Sequence, residues 1–188
     1  MKKIVIFASG SGSNAEKIIL HFKNSNLANV IAVYSNNLNA KVLERTKNHN
    51  IPSFTFNKQE LNSDTVAQLL AKQQPDLIVL AGFLLKFPEH LVKAFPNKII
   101  NIHPALLPKY GGKGMYGMRV HEAVLANHEV ETGISIHFVN EHYDEGAIIS
   151  QHATNITDCT TAEAIAQKVH ELEHEYFPLA IEKLLSSN

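Results

Sequence analysis

Two polar side chains interrupt a hydrophobic segment near the middle of the chain, and their types could carry out acid–base chemistry. Asn101 and His103 lie at the end of a strand-like segment at residues 98–102, just before Pro104. Strand side chains two positions apart share a face, so the amide and the imidazole would lie side by side. Such a pair can also serve only to satisfy loop backbone groups. We favour a catalytic pair, because open α/β sheets bind ligands at the carboxyl ends of their strands.

A glycine-rich turn near the amino terminus could bind a phosphate. Residues 9–14 follow the hydrophobic run at residues 4–8 and precede apolar residues at helical spacing. A turn that opens a helix after a strand presents free backbone N–H groups, which phosphate sites use as donors. An ordinary turn in which Ser13 or Asn14 caps the helix explains the pattern equally well.

The same turn fits part of the dinucleotide-binding fingerprint through Gly10, Gly12 and Ala15. That kind of site also needs an acidic residue about 20 positions further along, to bind a ribose. The sequence has Ser35-Asn36-Asn37 at that place. We therefore favour a single phosphate over a nicotinamide dinucleotide.

A carboxylate in a short connection is the third candidate. Asp144 lies between two late strand-like segments, at residues 132–139 and 147–153. A carboxylate there could orient and charge-stabilise a histidine. An aspartate near a glycine is also routine turn chemistry, and Asp144 taken alone favours the turn.

The segment His170-Glu171-Leu172-Glu173-His174 matches the HExxH pattern, which on a helix can bind zinc. A chain with 11 histidines produces such a match easily, and no third ligand follows at a suitable spacing before Pro178. We expect a structural helix here and no metal.

The composition limits the class of protein. Of 188 residues, 45% are hydrophobic and 19% charged, as in a folded domain. The 17 Lys and Arg nearly balance the 18 Asp and Glu, so the net charge of -1 gives no field for nucleic acid or an acidic membrane. The single cysteine, Cys159, suits a reducing compartment, and the run at residues 4–8 is too short for a signal peptide or a membrane span. We expect one cytoplasmic domain over residues 1–188.

Alternating strand and helix patterns position these candidates. The early strands are continuously hydrophobic, as parallel strands covered on both faces are, whereas the two strands around Asp144 are close enough to pair antiparallel. The pattern predicts an α/β, Rossmann-like doubly wound fold. Its sheet would be mostly parallel, with an antiparallel strand pair in the C-terminal half and helices on both faces. We also expect one helix at residues 61–74 and a long final helix opened by a capping box of Thr160 and Glu163.

Four segments together resemble the folate-dependent formyltransferases. They are the turn with Ser13-Asn14, Leu-Ala-Gly-Phe at residues 80–83, Asn-Ile-His-Pro-Ala-Leu-Leu-Pro at residues 101–108, and Asp144-Glu145-Gly146. The resemblance covers essentially the whole chain, and the Asn-Ile-His-Pro run is its specific part. It implies formyl transfer from the co-substrate 10-formyltetrahydrofolate to the amine of 5'-phosphoribosylglycinamide, in purine (IMP) biosynthesis.

The resemblance implies a role for each candidate. The amine would attack the formyl carbon to give a tetrahedral oxyanion. Asn101 would donate a hydrogen bond to this oxyanion, and His103, protonated at that stage, would be its charged partner. Asp144 would orient His103 and help to relay the amine proton through water. His103 and Asp144 should titrate as a coupled pair.

The resemblance also implies binding residues for both substrates. The acceptor's phosphate and ribose would contact Gly12, Ser13, Asn14 and Glu173. The folate would contact two loops, Leu84, Leu85, Lys86 and Phe87 in the first, and Asn140, Glu141, His142 and Tyr143 in the second.

Two segments depart from the family pattern. The arginine that assists the substrate phosphate has no evident counterpart, because the segment before Leu61 is shortened, and Lys58 is the only substitute we can suggest. The glycine-dense stretch at residues 111–117 is longer than the shorter family loop. Neither departure touches the three catalytic candidates.

Related activities are the alternatives. Methionyl-tRNA formyltransferases add a C-terminal domain and formyltetrahydrofolate hydrolases add an N-terminal one, and we expect neither in 188 residues. A non-catalytic folate- or nucleotide-binding module would not need Asn101, His103 and Asp144 together. We therefore predict an enzyme with small-molecule substrates and without a nucleic-acid or membrane partner.

Overall fold

The computed structural model describes residues 1–187 and contains a seven-stranded sheet flanked by helices. The strands are β1 (Lys2–Phe7), β2 (Ala28–Ser35), β3 (Ser53–Thr55), β4 (Leu77–Leu80), β5 (Ile99–His103), β6 (Glu131–Phe138) and β7 (Ile148–Asn155). The helices are α1 (Ser13–Phe22), α2 (Lys41–Asn48), α3 (Lys58–Asn62), α4 (Asp64–Gln73), α5 (Glu89–Ala94), α6 (Met118–Ala126) and α7 (Ala162–Ser186). Over residues 1–187, no helix is long and apolar enough to cross a membrane.

The strand order is β3-β2-β1-β4-β5-β6-β7. Strands β1 to β5 are parallel, whereas β6 runs antiparallel to both β5 and β7. The predicted fold class is therefore confirmed. The strand order changes direction between β1 and β4, so the loops after these neighbours separate and open a crevice at their carboxyl ends.

Each face of the sheet carries its own hydrophobic core. Ile4 and Ile6 of β1 pack on one face with α1 and α7. Val5 and Phe7 point to the other face, against α3, α4 and α5. Because successive strand residues alternate between faces, a strand covered on both sides must be hydrophobic throughout, as the sequence of β1 is.

Two helix predictions are wrong in detail. The helix expected at residues 61–74 is divided into α3 and α4, because Ser63 is extended and its hydroxyl accepts a hydrogen bond from the N–H of Thr65. Thr161, rather than Thr160, caps α7 by accepting from the N–H of Ala164. Glu163 is therefore the second residue of α7, one position too early for the reciprocal bond of a capping box.

Gly133 on β6 offers a test of the antiparallel pairing between β6 and β7. A Cβ at this position would lie 2.0 Å from the carbonyl oxygen of His152 on β7, whereas none of the described atoms lies within 4 Å of a Cβ built at Gly10. We expect Gly133→Ala to lower the free energy of unfolding by about 1–3 kcal/mol, the usual cost of overpacking. Gly10→Ala, the matched control, should leave it nearly unchanged. Denaturant unfolding checks both, and equal stability of the two variants would contradict the described β6–β7 pairing.

Candidate active site

A cleft of about 720 Å³ opens at the carboxyl ends of β1, β4 and β5. It brings together most of the side chains expected from the sequence. These are Gly12, Ser13, Asn14, Leu84, Leu85, Lys86, Phe87, Asn101, His103, Asn140, His142, Tyr143, Asp144 and Glu173. Glu141 is not part of this lining; its exposed carboxylate lies 4.0 Å from Nε2 of His142.

His103 is buried at the end of β5 with a defined tautomer. Its Nε2 lies 2.7 Å from the carbonyl oxygen of Tyr110, which can only accept, so Nε2 carries a hydrogen. Its Nδ1 faces Oδ2 of Asp144 at 3.6 Å. Burial lowers the pKa of His103, against the opposing effects of Asp144 and the Tyr110 carbonyl. The resting imidazole is therefore neutral near pH 7, with a bare Nδ1 directed at a carboxylate.

Asp144 is held between two imidazoles. Its Oδ1 lies 3.6 Å from Nε2 of His137, and its Oδ2 accepts a hydrogen bond from the N–H of Gly112 at 2.9 Å. Burial alone would raise the pKa of Asp144, but His137, His103 and the Gly112 N–H together hold that pKa below its ordinary value. The carboxyl therefore stays ionised in a place that is largely shielded from water.

The backbone around Asp144 is tightly constrained. Asp144 itself has φ 56°, a left-handed conformation that aspartate tolerates better than most residues. A Cβ on Gly146 would lie 1.7 Å from the carbonyl oxygen of Phe138, and one on Gly111 would lie 2.5 Å from Cδ2 of Leu107. Gly146 thus lets the chain after Asp144 approach β6 closely, and Gly111 lets the loop after β5 fold tightly on Leu107 beside Asp144.

Asn101 is oriented by a histidine on the neighbouring strand. The sheet register pairs Asn101 with His137. Nδ1 of His137 lies 2.8 Å from the carbonyl oxygen of Phe138 and must carry its hydrogen, so the bare Nε2 accepts from Nδ2 of Asn101 at 3.2 Å. An amide nitrogen has two hydrogens, and the second remains for a substrate oxygen.

The glycine turn after β1 and the helix α7 meet in the same cleft. Gly12 precedes α1 in a left-handed conformation with φ 72°. Nδ2 of Asn14 donates to Oε2 of Glu173 at 2.8 Å, and both side chains are buried. Asn36, which occupies the place of a dinucleotide-binding acid, instead accepts a hydrogen bond from the hydroxyl of Ser9 at 2.6 Å.

The loop after β4 forms an apolar wall that is continuous with the core. Phe83 and Phe87 line the cleft and contact the buried ring of Phe7, with centroids 5.5 and 5.2 Å away. Nζ of Lys86 lies 5.4 Å from the ring centroid of Tyr143, which joins the two predicted folate loops across the opening.

Residues 2–181 match the sequence model of the formyl transferase family. The chain belongs to the formyl transferase family. It is 37% identical over 194 aligned positions to the phosphoribosylglycinamide formyltransferase of Bacillus subtilis (strain 168), covering 100% of this chain and 97% of that protein. It is 38% identical to the chloroplastic enzyme of that name from Arabidopsis thaliana, covering 94% of this chain and 63% of that protein.

Solved structures of relatives have the same fold. The phosphoribosylglycinamide formyltransferase of Bacillus halodurans superposes with a TM-score of 0.89 at 37% identity, covering 98% of this chain and 96% of that one. That of Anaplasma phagocytophilum gives a TM-score of 0.91 at 30% identity, covering 99% and 88%. The chain thus spans nearly the whole of these bacterial proteins, but under two thirds of the length of the plant relative.

Sequence reasoning missed two histidines of this formyl transferase site. His137 and His121 are 2% and 3% exposed, and both line the cleft. Burial, with the nearby charges of His170 and His103, lowers the pKa of His121 to about 4, so this imidazole is neutral at physiological pH. A polar residue inside a buried strand could have pointed to His137, but only the β5–β6 register places it beside Asn101.

Three other segments considered from the sequence are residues 170–174, Lys58 and the glycine-dense stretch at residues 111–117. All of residues 170–174 lie within α7, and no group of three or more His, Cys, Asp or Glu that could hold a metal occurs in residues 1–187. Lys58 begins α3 and is not among the residues that line the cleft. The longer glycine-dense loop runs along the cleft, where Lys113 and Tyr116 contribute to the lining.

Glu173 provides a test of the buried link to the glycine turn. Burial raises the pKa of Glu173, although the bond from Asn14 and the charge of His170 oppose the shift. The folded state therefore binds this proton more tightly than the unfolded chain, and the resulting stability is lost as the pH rises through the folded pKa.

We expect Glu173→Gln, which keeps an acceptor for Asn14 without the buried charge, to melt above the wild type at about pH 8. The difference should shrink as the pH falls to about 4, below the unfolded pKa. Thermal melts across this range check the prediction. Glu171→Gln, at an exposed position of α7, is the control and should show no such trend. A Glu173→Gln difference that is independent of pH would contradict the raised pKa.

Proposed function

We propose that this protein transfers the formyl group of 10-formyltetrahydrofolate to the amine of 5'-phosphoribosylglycinamide, a step of purine biosynthesis. The observation that carries the proposal is the convergence of Asn101, His103 and Asp144 in the same cleft as a glycine turn at a helix start. The bacterial relatives, which are phosphoribosylglycinamide formyltransferases, support the same acceptor.

Asn101 stabilises the charge that develops on the formyl oxygen. When the amine nitrogen attacks the formyl carbon, the carbonyl electron pair moves onto that oxygen. One N–H of the Asn101 amide is directed to His137, which fixes the side chain, and the other donates to the oxyanion. A donor that is oriented before the reaction needs no reorganisation as the charge appears.

His103 receives the proton that the attacking amine loses. Its Nδ1 is bare, whereas its Nε2 hydrogen is bound by Tyr110, so protonation through a water gives an imidazolium with a partner at each nitrogen. Asp144 stabilises this imidazolium, whose charge lies beside the oxyanion. The oxyanion then reforms the carbonyl as the bond from the formyl carbon to the folate nitrogen breaks. That nitrogen takes up the proton, giving formylated acceptor and tetrahydrofolate.

The other residues of the cleft bind the two substrates. Gly12, Ser13 and Asn14 hold the acceptor phosphate on the N–H groups at the start of α1, and Glu173 holds the ribose. Leu84–Phe87 and the loop at 140–143 bind the folate between an apolar wall and Tyr143. The basic side chains of the lining outnumber the two carboxylates, which suits an anionic acceptor; they are Lys86, Lys113 and Arg119.

The direct test is an assay of purified protein with both proposed substrates. Formylated phosphoribosylglycinamide and tetrahydrofolate should form in equal amounts. Formate released without an acceptor would identify a formyltetrahydrofolate hydrolase instead, and efficient formylation of methionyl-tRNA would identify a tRNA-modifying enzyme. The cytoplasm remains the compartment predicted from the single cysteine.

The catalytic residues generate a prediction about turnover. We expect Asn101→Ala to lower kcat about 10²–10³-fold through loss of an oxyanion donor, and His103→Ala and Asp144→Asn to lower it about 10²–10⁴-fold through loss of proton transfer. His128→Asn, an exposed change outside the cleft that suits the left-handed backbone there, is the control. Steady-state kinetics on variants with wild-type melting temperatures check these values. Near-normal turnover of either the Asn101 or the His103 variant would exclude this mechanism.

The two binding regions generate a prediction about KM. Ser13→Ala and Asn14→Ala should each raise the KM for phosphoribosylglycinamide while changing the KM for the folate little, since the two ligands would contact different residues. The pair of KM values for each variant is the measurement. A shift of the folate KM alone would mean that the glycine turn does not bind the acceptor.

A further inference from the structure

Helix α2 binds the carbonyl groups of the glycine turn. The N–H of Val42 donates to the carbonyl oxygen of Gly10 at 3.2 Å, and Nε of Arg45 donates to that of Ser11 at 2.8 Å. Gly12 packs so closely on α2 that a Cβ there would lie 2.4 Å from Cγ2 of Val42. The first helix thus begins at a turn whose carbonyl groups are fixed by the second helix.

This arrangement determines where the N–H groups of the turn point. In a trans peptide the C=O and N–H bonds are antiparallel. The carbonyl groups of Gly10 and Ser11 are directed at α2, so the N–H groups of the same two peptides, on Ser11 and Gly12, are directed away from α2. Both residues line the cleft. The bonds from α2 therefore aim two backbone donors at the predicted phosphate position.

Arg45 does more than Val42, because it brings a charge to the peptide that it contacts. A guanidinium bound to the Ser11 carbonyl polarises the Ser11–Gly12 peptide and strengthens its N–H as a donor, since hydrogen bonds in a chain reinforce one another. Arg45 is itself fixed by an ion pair with Glu16, which also contacts the ring of His49 at 3.1 Å. The guanidinium is thus immobilised behind the turn rather than free to enter the cleft.

We propose that Arg45 is a positioning residue for the acceptor phosphate, acting through the Ser11–Gly12 peptide and not by touching the phosphate. The inference rests on the proposed function for the identity of the acceptor, but the phosphate contact can be measured without any formyl transfer. It gives the site a cationic contribution from a residue that does not itself line the cleft.

The experiment compares Arg45→Gln and Arg45→Lys with Lys41→Gln, an exposed control on the same helix. Binding of ribose 5-phosphate is measured by calorimetry, and KM and kcat are measured with phosphoribosylglycinamide and the folate. We expect Arg45→Gln to weaken ribose 5-phosphate and to raise the acceptor KM about tenfold, the worth of a charged hydrogen bond. The folate KM and kcat should stay close to those of the wild type.

Arg45→Lys should recover part of the affinity, because it keeps the charge and one donor, and Lys41→Gln should change nothing. Rescue by lysine and a change confined to the acceptor distinguish positioning from a general loss of structure. Unchanged ribose 5-phosphate affinity in folded Arg45→Gln and Arg45→Lys, or equal loss for both substrates, would overturn the inference. If Arg45→Gln weakens ribose 5-phosphate binding but the wild type does not formylate phosphoribosylglycinamide, the role of Arg45 is supported and the proposed acceptor is rejected.

Discussion

An ionised carboxylate shielded between two imidazoles is the interaction on which the rest of the site depends. Asp144 lies 3.6 Å from Nδ1 of His103 and 3.6 Å from Nε2 of His137, too far in each case for a hydrogen bond. Each ring instead gives its hydrogen to a backbone carbonyl, of Tyr110 or Phe138. The carboxylate therefore faces the bare Nδ1 of His103 and is ready to stabilise a proton that arrives there, whereas Nε2 of His137 accepts from Asn101.

Such an arrangement is costly to build, and the local chain geometry reflects that cost. A shielded carboxylate needs compensating donors, and here the N–H of Gly112 supplies one. Placing the carboxylate here requires a left-handed backbone at Asp144. It also requires Gly146 against the Phe138 carbonyl and Gly111 against Leu107. The parallel strands supply the fixed half of the cleft, namely the glycine turn and Asn101, and two irregular loops supply the other half.

The strand ends could be predicted from the sequence because hydrophobic runs and the Asn-Ile-His-Pro segment identify them locally. That was enough to place Asn101, His103 and the glycine turn at one edge of the sheet. The contribution of His137 could not be predicted, since it depends on the antiparallel register of β5 and β6. The bracing of the turn by Arg45 is likewise a contact across 34 positions, which no local pattern reveals. The division of α3 from α4 was missed because the hydrophobic spacing continues across Ser63. The helical backbone is interrupted there, since Ser63 is extended and caps α4.

The protonation of His103 is the most direct test of the interaction between this ring and Asp144. Nitrogen-15 NMR of the imidazole rings reports both the tautomer and the pKa, in the wild type and in Asp144→Asn. We predict a neutral His103 near pH 7 with its hydrogen on Nε2, and a pKa of His103 that falls further in Asp144→Asn, because the carboxylate is the group that favours the charged ring. A His103 that is already protonated near pH 7, or whose pKa is unchanged or raised in Asp144→Asn, would contradict it.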